Sequence, residues 1–147
     1  MPPVLATQVN AADFLSRQIG ERIAAAEDAA RTFRAALPIV RASEGFFVLP
    51  LDENRRVLAE PVLVSLGTSS VTTSVQPSEV FSAALAVGAK SIIVAHNHPS
   101  GNLTPSLQDR QLTTVLASLG EQLGVKLLDH FIIGKNDEYD RITLATK

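Results

Sequence analysis

A short apolar run, Ser91-Ile92-Ile93-Val94-Ala95, constrains the fold more than any other stretch of the chain. A continuous apolar run of this length is typical of a strand that is buried on both faces of a sheet. Both faces of such a sheet must be covered, and helices are the usual cover. The run therefore predicts a central strand in a helix-covered sheet, and it leads the chain directly into His96.

The N-terminal part predicts one long helix that covers the sheet. Residues 1–9 look like a loose extension, Asn10 is a plausible N-cap, and Pro38 would end the helix. Gly20 disfavours helix, but the apolar period continues through it. The apolar face of a helix usually packs against its own domain, and the alternative is a homodimer formed through this N-terminal helix. The apolar stripe comprises Leu15, Ile19, Ile23, Ala26, Ala30, Phe33 and Leu37.

The rest of the chain alternates strand and helix signals. The order helix, strands, helix, strand, helix, strands predicts a mixed sheet with helices on its faces in a single domain. We divide the chain into an N-terminal extension and helix (residues 1–40) and the sheet-bearing domain (residues 41–147). The expected strands are Phe46–Leu51, Val57–Leu66, Val125–Gly134 and an edge strand Arg141–Leu144; residues 67–74 fit either a loop or a strand.

Two further helices follow from their end signals. Pro77 opens one helix and Gly88 stops it. Thr104 is the expected N-cap of the other, with Pro105 at its first position and Gly124 at its end. Its expected inner face is Leu112, Val115, Leu116, Leu119 and Leu123.

Composition narrows the possible functions. The net charge of −2 and a pI near 5.9 give no support to nucleic-acid binding. The chain has no cysteine, so any metal must be bound by His, Asp or Glu. The sequence shows neither a signal peptide nor the roughly 20-residue apolar stretch that a membrane helix needs. A cytoplasmic location is therefore expected.

Residues that can bind a metal gather between positions 96 and 109. His96 and His98 point to the same side if the segment is extended, and Ser106 and Asp109 share a face of the following helix. The same helix face continues through Leu112, so Asp109 would be buried at a cost of several kcal/mol unless it is paired. A cation shared with the two imidazoles would remove this cost. The sequence therefore predicts a three-ligand metal site with a fourth position open for water.

This arrangement resembles the JAMM (JAB or MPN-plus) metalloprotease motif, His-x-His followed after seven residues by Ser-x-x-Asp. The closest likeness is to the RadC-like branch, through His96–Gly101, Pro105–Asp109, Leu128–Gly134 and Leu66–Thr68. The resemblance implies a JAB/MPN-like (cytidine-deaminase-like) single domain. Such a domain has a mixed, mostly antiparallel β-sheet flanked by helices, an α/β (α+β) fold, here with an extra N-terminal helix.

The resemblance also implies a role for each site residue. His96, His98 and Asp109 would bind zinc, Ser106 would stabilise an oxyanion, and Glu44 would act as the general base. Glu44 also suits that role on chemical grounds, because a carboxylate beside zinc can take and return a proton. The rival carboxylates are Glu53, Glu60 and Glu79, and Asp129 and His130 are interpreted as structural or ligand-supporting residues.

The implied function is a zinc-dependent hydrolase that cleaves a peptide or isopeptide bond in a peptide or protein substrate. Two alternatives stay open. One is a metal-stabilised interaction module without catalysis. The other is a DNA-repair-associated protein, as the RadC-like family is traditionally labelled, although the acidic pI disfavours it.

Overall fold

The structure, a computed structural model, describes residues 3–40, 43–67 and 74–144. Within these ranges the chain forms four α helices, one 3-10 turn and five strands. In chain order they are α1 (Pro3–Gln18), α2 (Ala26–Ala36), the 3-10 turn (Leu37–Ile39), β1 (Glu44–Leu51), β2 (Val62–Gly67), α3 (Pro77–Ala86), β3 (Ser91–Asn97), α4 (Leu107–Leu123), β4 (Lys126–Ile133) and β5 (Tyr139–Arg141).

The strands form one sheet in the order β2-β1-β3-β4-β5. The β3–β4 pair is parallel and the other three pairs are antiparallel. All residues of β3 are buried, as its continuous apolar run predicts. The predicted mixed, mostly antiparallel sheet flanked by helices is therefore confirmed.

Each face of the sheet carries its own core. On one face α2 covers the sheet, and the ring of Phe33 lies 6.3 Å from that of Phe131. On the other face, apolar residues of α3 and α4, such as Val80 and Leu116, pack with Val94. This second face also carries the candidate site. No helix in the described ranges is both long enough and apolar enough to cross a membrane.

The prediction of one N-terminal helix is wrong in two respects. Residues from Pro3 onward are already helical, so they are not a loose extension. The helix is also broken between Gln18 and Ala26, where Gly20 adopts a φ of 90°. The backbone N–H groups of Gly20 and Ile23 donate to the carbonyls of Val57 and Arg55. These bonds to a distant segment satisfy the backbone and replace the helical bonds that the apolar period suggested.

Three smaller predictions also need correction. The N-cap of α4 is Ser106 and not Thr104, because the Ser106 side chain bonds the helix N-terminus. Val115 and Leu123 are 44% and 47% exposed, so they do not belong to the inner face of α4. The edge strand is β5, which ends at Arg141 where the predicted strand began. In the undecided segment, residues 68–73 lie outside the described ranges.

Candidate metal centre

Strand β3 carries the two histidines to one end of the sheet. His96 is the penultimate residue of β3, its side chain is 1% exposed, and its ring stacks on Phe46 of β1 at a centroid distance of 6.1 Å. His98 follows the strand, and its backbone N–H donates to the carbonyl of Ile133. The two imidazoles therefore leave the sheet on the same side, as the i, i+2 spacing predicts.

The first turn of α4 supplies the carboxylate. The Oδ2 of Asp109 accepts a hydrogen bond from the backbone N–H of Ser106 at 2.8 Å, and the Ser106 Oγ accepts from the backbone N–H of Asp109 at 3.0 Å. This reciprocal capping box fixes the Asp109 side chain at the helix N-terminus, where the helix dipole favours a negative charge. Asp109 is 2% exposed, as its place on the apolar helix face predicts.

The three predicted ligands converge. The Nε2 atoms of His96 and His98 lie 3.1 Å apart, and the Oδ2 of Asp109 lies 3.4 Å from the first and 3.7 Å from the second. A tetrahedral zinc ion with bonds of about 2.0–2.1 Å separates its ligand atoms by roughly 3.3 Å. The spacing and the donor set of two nitrogens and one oxygen therefore fit a divalent ion such as zinc.

A third histidine supports the first. The Nδ1 of His96 lies 2.9 Å from the Nε2 of His130 on the neighbouring strand β4. The Nδ1 of His130 in turn lies 2.7 Å from the Oγ1 of Thr113 on α4. Burial lowers the pKa of His130 well below the usual histidine value, so this imidazole is neutral near pH 7. Metal-binding histidines commonly bond their second ring nitrogen in this way.

Glu44, the predicted general base, begins β1 on the side of the sheet that carries the site. Phe46 pairs with His96, so extending the antiparallel register by two residues sets Glu44 opposite His98. The backbone on either side of Glu44 is held by one side chain. The Asn97 Oδ1 accepts from the N–H of Gly45 at 2.7 Å, and the Asn97 Nδ2 donates to the carbonyl of Ser43 at 3.0 Å.

Within the described residues the ligand cluster comprises His96, His98 and Asp109, so neither Glu44 nor the rival carboxylates Glu53, Glu60 and Glu79 belong to it. Asp129, for which a structural or ligand-supporting role is expected, pairs with Arg141 at 2.7 Å and accepts from the backbone N–H of His130, which is a structural arrangement. His130 hydrogen-bonds His96 and is therefore placed where the expected supporting role requires it. Sequence reasoning missed Thr113, although its place one helical turn after Asp109 was a usable signal.

A family model described as the RadC-like JAB domain matches residues 23–143. A UPF0758 protein of Chlorobaculum parvum is 39% identical over 123 residues, which are 83% of this chain and 54% of that protein. One of Desulforudis audaxviator is 39% identical over 140 residues, 91% of this chain and 60% of that protein.

A third UPF0758 protein, from Finegoldia magna, is 44% identical over 94 residues, 64% of this chain and 41% of that protein. The chain thus spans about half the length of the curated relatives it matches. The family model, by contrast, covers most of this chain. The chain therefore belongs to the RadC-like JAB domain family.

Proposed function

We propose that this chain is a zinc-dependent hydrolase of the JAMM type that cleaves a peptide or isopeptide bond. The observation that carries the proposal is the convergence of His96 Nε2, His98 Nε2 and Asp109 Oδ2 at the spacing that a tetrahedral ion requires. Membership of the RadC-like JAB family supports the hydrolase class. Three protein ligands leave one position for a water, which is the pattern of catalytic zinc sites.

The metal ion and Glu44 would have separate roles in the reaction. When bound, zinc makes a water nucleophilic near neutral pH and polarises the substrate carbonyl. Glu44 takes a proton from the attacking water and delivers it to the leaving amine nitrogen. Its place at the start of β1, on the side of the sheet that carries the ligands, supports this role.

Ser106 would stabilise the negative charge that develops on the carbonyl oxygen. Its Oγ accepts a hydrogen bond from the backbone N–H of Asp109, which engages a lone pair of the hydroxyl. The hydroxyl proton is then available to an oxygen of the substrate. Donors of this kind typically contribute about 2.7–4 kcal/mol to transition-state stabilisation. In the free protein the same hydroxyl caps α4, so Ser106 would have a structural and a catalytic role.

The metal part of the proposal is tested by zinc content. Elemental analysis of the purified chain should give one zinc per molecule for the wild type and for Glu44→Gln. His98→Ala and Asp109→Ala should lose the zinc, because each removes a ligand. Full zinc retention by folded Asp109→Ala would contradict the ligand set.

The catalytic part is tested with zinc-loaded protein on a peptide library that includes isopeptide-linked substrates, with cleavage followed by mass spectrometry. Glu44→Gln should abolish cleavage while retaining zinc. Glu53→Gln is the matched control, because Glu53 is exposed in the turn that follows β1. If neither the wild type nor Glu44→Gln cleaves any substrate while zinc raises the melting temperature, the metal-stabilised interaction module is the better interpretation.

A further inference from the structure

A buried chain of hydrogen bonds runs from α4 through β4 to the candidate ligand His96. The Oγ1 of Thr113 lies 2.7 Å from the backbone carbonyl oxygen of Asp109 and 2.7 Å from the Nδ1 of His130. The Nε2 of His130 lies 2.9 Å from the Nδ1 of His96. The side chains of Thr113, His130 and His96 are all buried, so water does not compete for these bonds.

The hydrogen bond between Thr113 and the Asp109 carbonyl determines which atom donates in each of the other hydrogen bonds. The backbone carbonyl oxygen of Asp109 has no proton, so Thr113 must donate its single hydroxyl proton in this hydrogen bond. The Thr113 oxygen must then accept the proton on His130 Nδ1. A neutral imidazole carries one proton, so His130 Nε2 is an acceptor. It therefore receives the proton on His96 Nδ1, and His96 Nε2 is left with a lone pair.

The tautomer of His98 is set in the same way, by a hydrogen bond to a different part of the protein. The Nδ1 of His98 lies 2.5 Å from the backbone carbonyl oxygen of Asn102. The imidazole must donate this bond, so a neutral His98 also presents a lone pair on Nε2. The two lone pairs meet 3.1 Å apart beside the carboxylate of Asp109. Three acceptors in this position repel one another until a cation lies among them.

We propose that Thr113 and His130 are positioning residues that fix His96 in the tautomer able to bind a metal through Nε2. Without the Thr113 hydroxyl, His130 has no acceptor for its Nδ1 proton and can carry the proton on Nε2 instead. That tautomer donates to His96 Nδ1 and moves the His96 proton to Nε2, which blocks the ligand atom. The inference rests on the metal site of the proposed function and is independent of the hydrolysis.

Thr113→Val tests the inference, because it removes the hydroxyl and keeps the shape of the side chain. Thr113→Ser restores the hydroxyl. Thr32→Val is the matched control, since Thr32 is also fully buried and bonds the carbonyl four residues earlier in a helix, 2.9 Å away on α2. Zinc affinity is measured for each full-length chain by competition with a chromogenic chelator.

Removing the direct partner of a metal ligand typically weakens metal binding by about 10- to 100-fold, and Thr113 acts one bond further away, so we expect Thr113→Val to bind zinc roughly 10-fold more weakly. Thr113→Ser should recover most of this affinity, and Thr32→Val should match the wild type. Equal zinc affinity of Thr113→Val and Thr32→Val would overturn the inference.

The second readout uses the metal-free protein. Long-range proton–nitrogen NMR correlations of the 15N-labelled chain near pH 8, where imidazoles of about pKa 6.5 are neutral, report which ring nitrogen is protonated. His96 and His130 should both carry the proton on Nδ1 in the wild type, and Thr113→Val should shift His96 toward Nε2–H. A wild-type His96 protonated on Nε2 would refute the inference. If the wild type shows the expected tautomers but binds no zinc, the tautomer assignment is upheld and the metal site of the proposed function is refuted.

Discussion

Gly120 packs against the backbone of Val125, which connects α4 to β4, and replacing it with alanine should destabilise the protein. Gly120 is buried in α4, and an added Cβ would lie 2.3 Å from the backbone carbonyl oxygen of Val125. That distance is more than about 1 Å shorter than ordinary contact between heavy atoms. A backbone carbonyl cannot rotate away as the end of a side chain can, so the helix must move.

The size of the effect follows from two opposing terms. Overpacking typically costs about 1–3 kcal/mol, and a clash with rigid backbone belongs at the upper end of that range, about 2–3 kcal/mol. Alanine is better than glycine inside a helix by about 1 kcal/mol, which offsets part of the cost. We expect a net loss of about 1–2 kcal/mol in the free energy of unfolding. For a chain of this size, about 2–4 °C per kcal/mol, that corresponds to a melting temperature lowered by roughly 2–8 °C.

The helix supplies its own control at Ser118, which is exposed in the same helix. Urea unfolding of Ser118→Gly and Ser118→Ala measures the propensity term alone, and alanine should be more stable by about 1 kcal/mol. The exchange from glycine to alanine should thus have opposite signs at the two positions. Stabilisation by Gly120→Ala comparable to that at position 118 would refute the close packing of Gly120 on the Val125 backbone.

Three further predictions concern the core, the support of Glu44 and the metal. Phe33→Ala should lower the free energy of unfolding by about 3–5 kcal/mol, because Phe33 is fully buried against Phe131; a loss below about 1 kcal/mol in urea unfolding would contradict this packing. Asn97→Ala should lower the free energy of unfolding by about 1–3 kcal/mol, because it leaves the buried N–H of Gly45 without its acceptor. The variant should still bind one zinc per molecule. Loss of zinc from the folded variant would contradict a role for Asn97 that is confined to holding β1. Zinc at 100 times its dissociation constant should stabilise the wild type by about 2.7 kcal/mol in thermal unfolding, and Asp109→Asn should abolish the gain; an equal gain in that variant would place the ion elsewhere.

Local signals in the sequence predicted the parts of the fold that local forces decide. The apolar run of β3 predicted a fully buried strand, and Gly124 ends α4 with a φ of 74°, as its position predicted. The break at Gly20 could not be predicted in this way. It depends on hydrogen bonds to Val57 and Arg55, which lie more than 30 residues further along the chain.

The candidate site also has parts that local sequence signals predict and parts that they do not. Its three candidate ligands lie at one strand end and in the first turn of the next helix, so short-range spacing was enough to predict their convergence. The support of His96 by His130 requires the parallel pairing of β3 with β4, and the contact with Thr113 requires the packing of α4 on β4. Neither arrangement leaves a periodic pattern in the sequence, so only the structure reveals the hydrogen-bond chain.

The central claim, that the end of β3 and the first turn of α4 bind one metal ion, is tested most directly by a crystal structure of the zinc-loaded protein with anomalous scattering at the zinc edge. We predict one ion bound by the Nε2 atoms of His96 and His98 at about 2.0–2.1 Å and by an oxygen of Asp109 at about 2.0–2.2 Å. An anomalous map without a peak between these three side chains, or ligation through a histidine Nδ1, would contradict it.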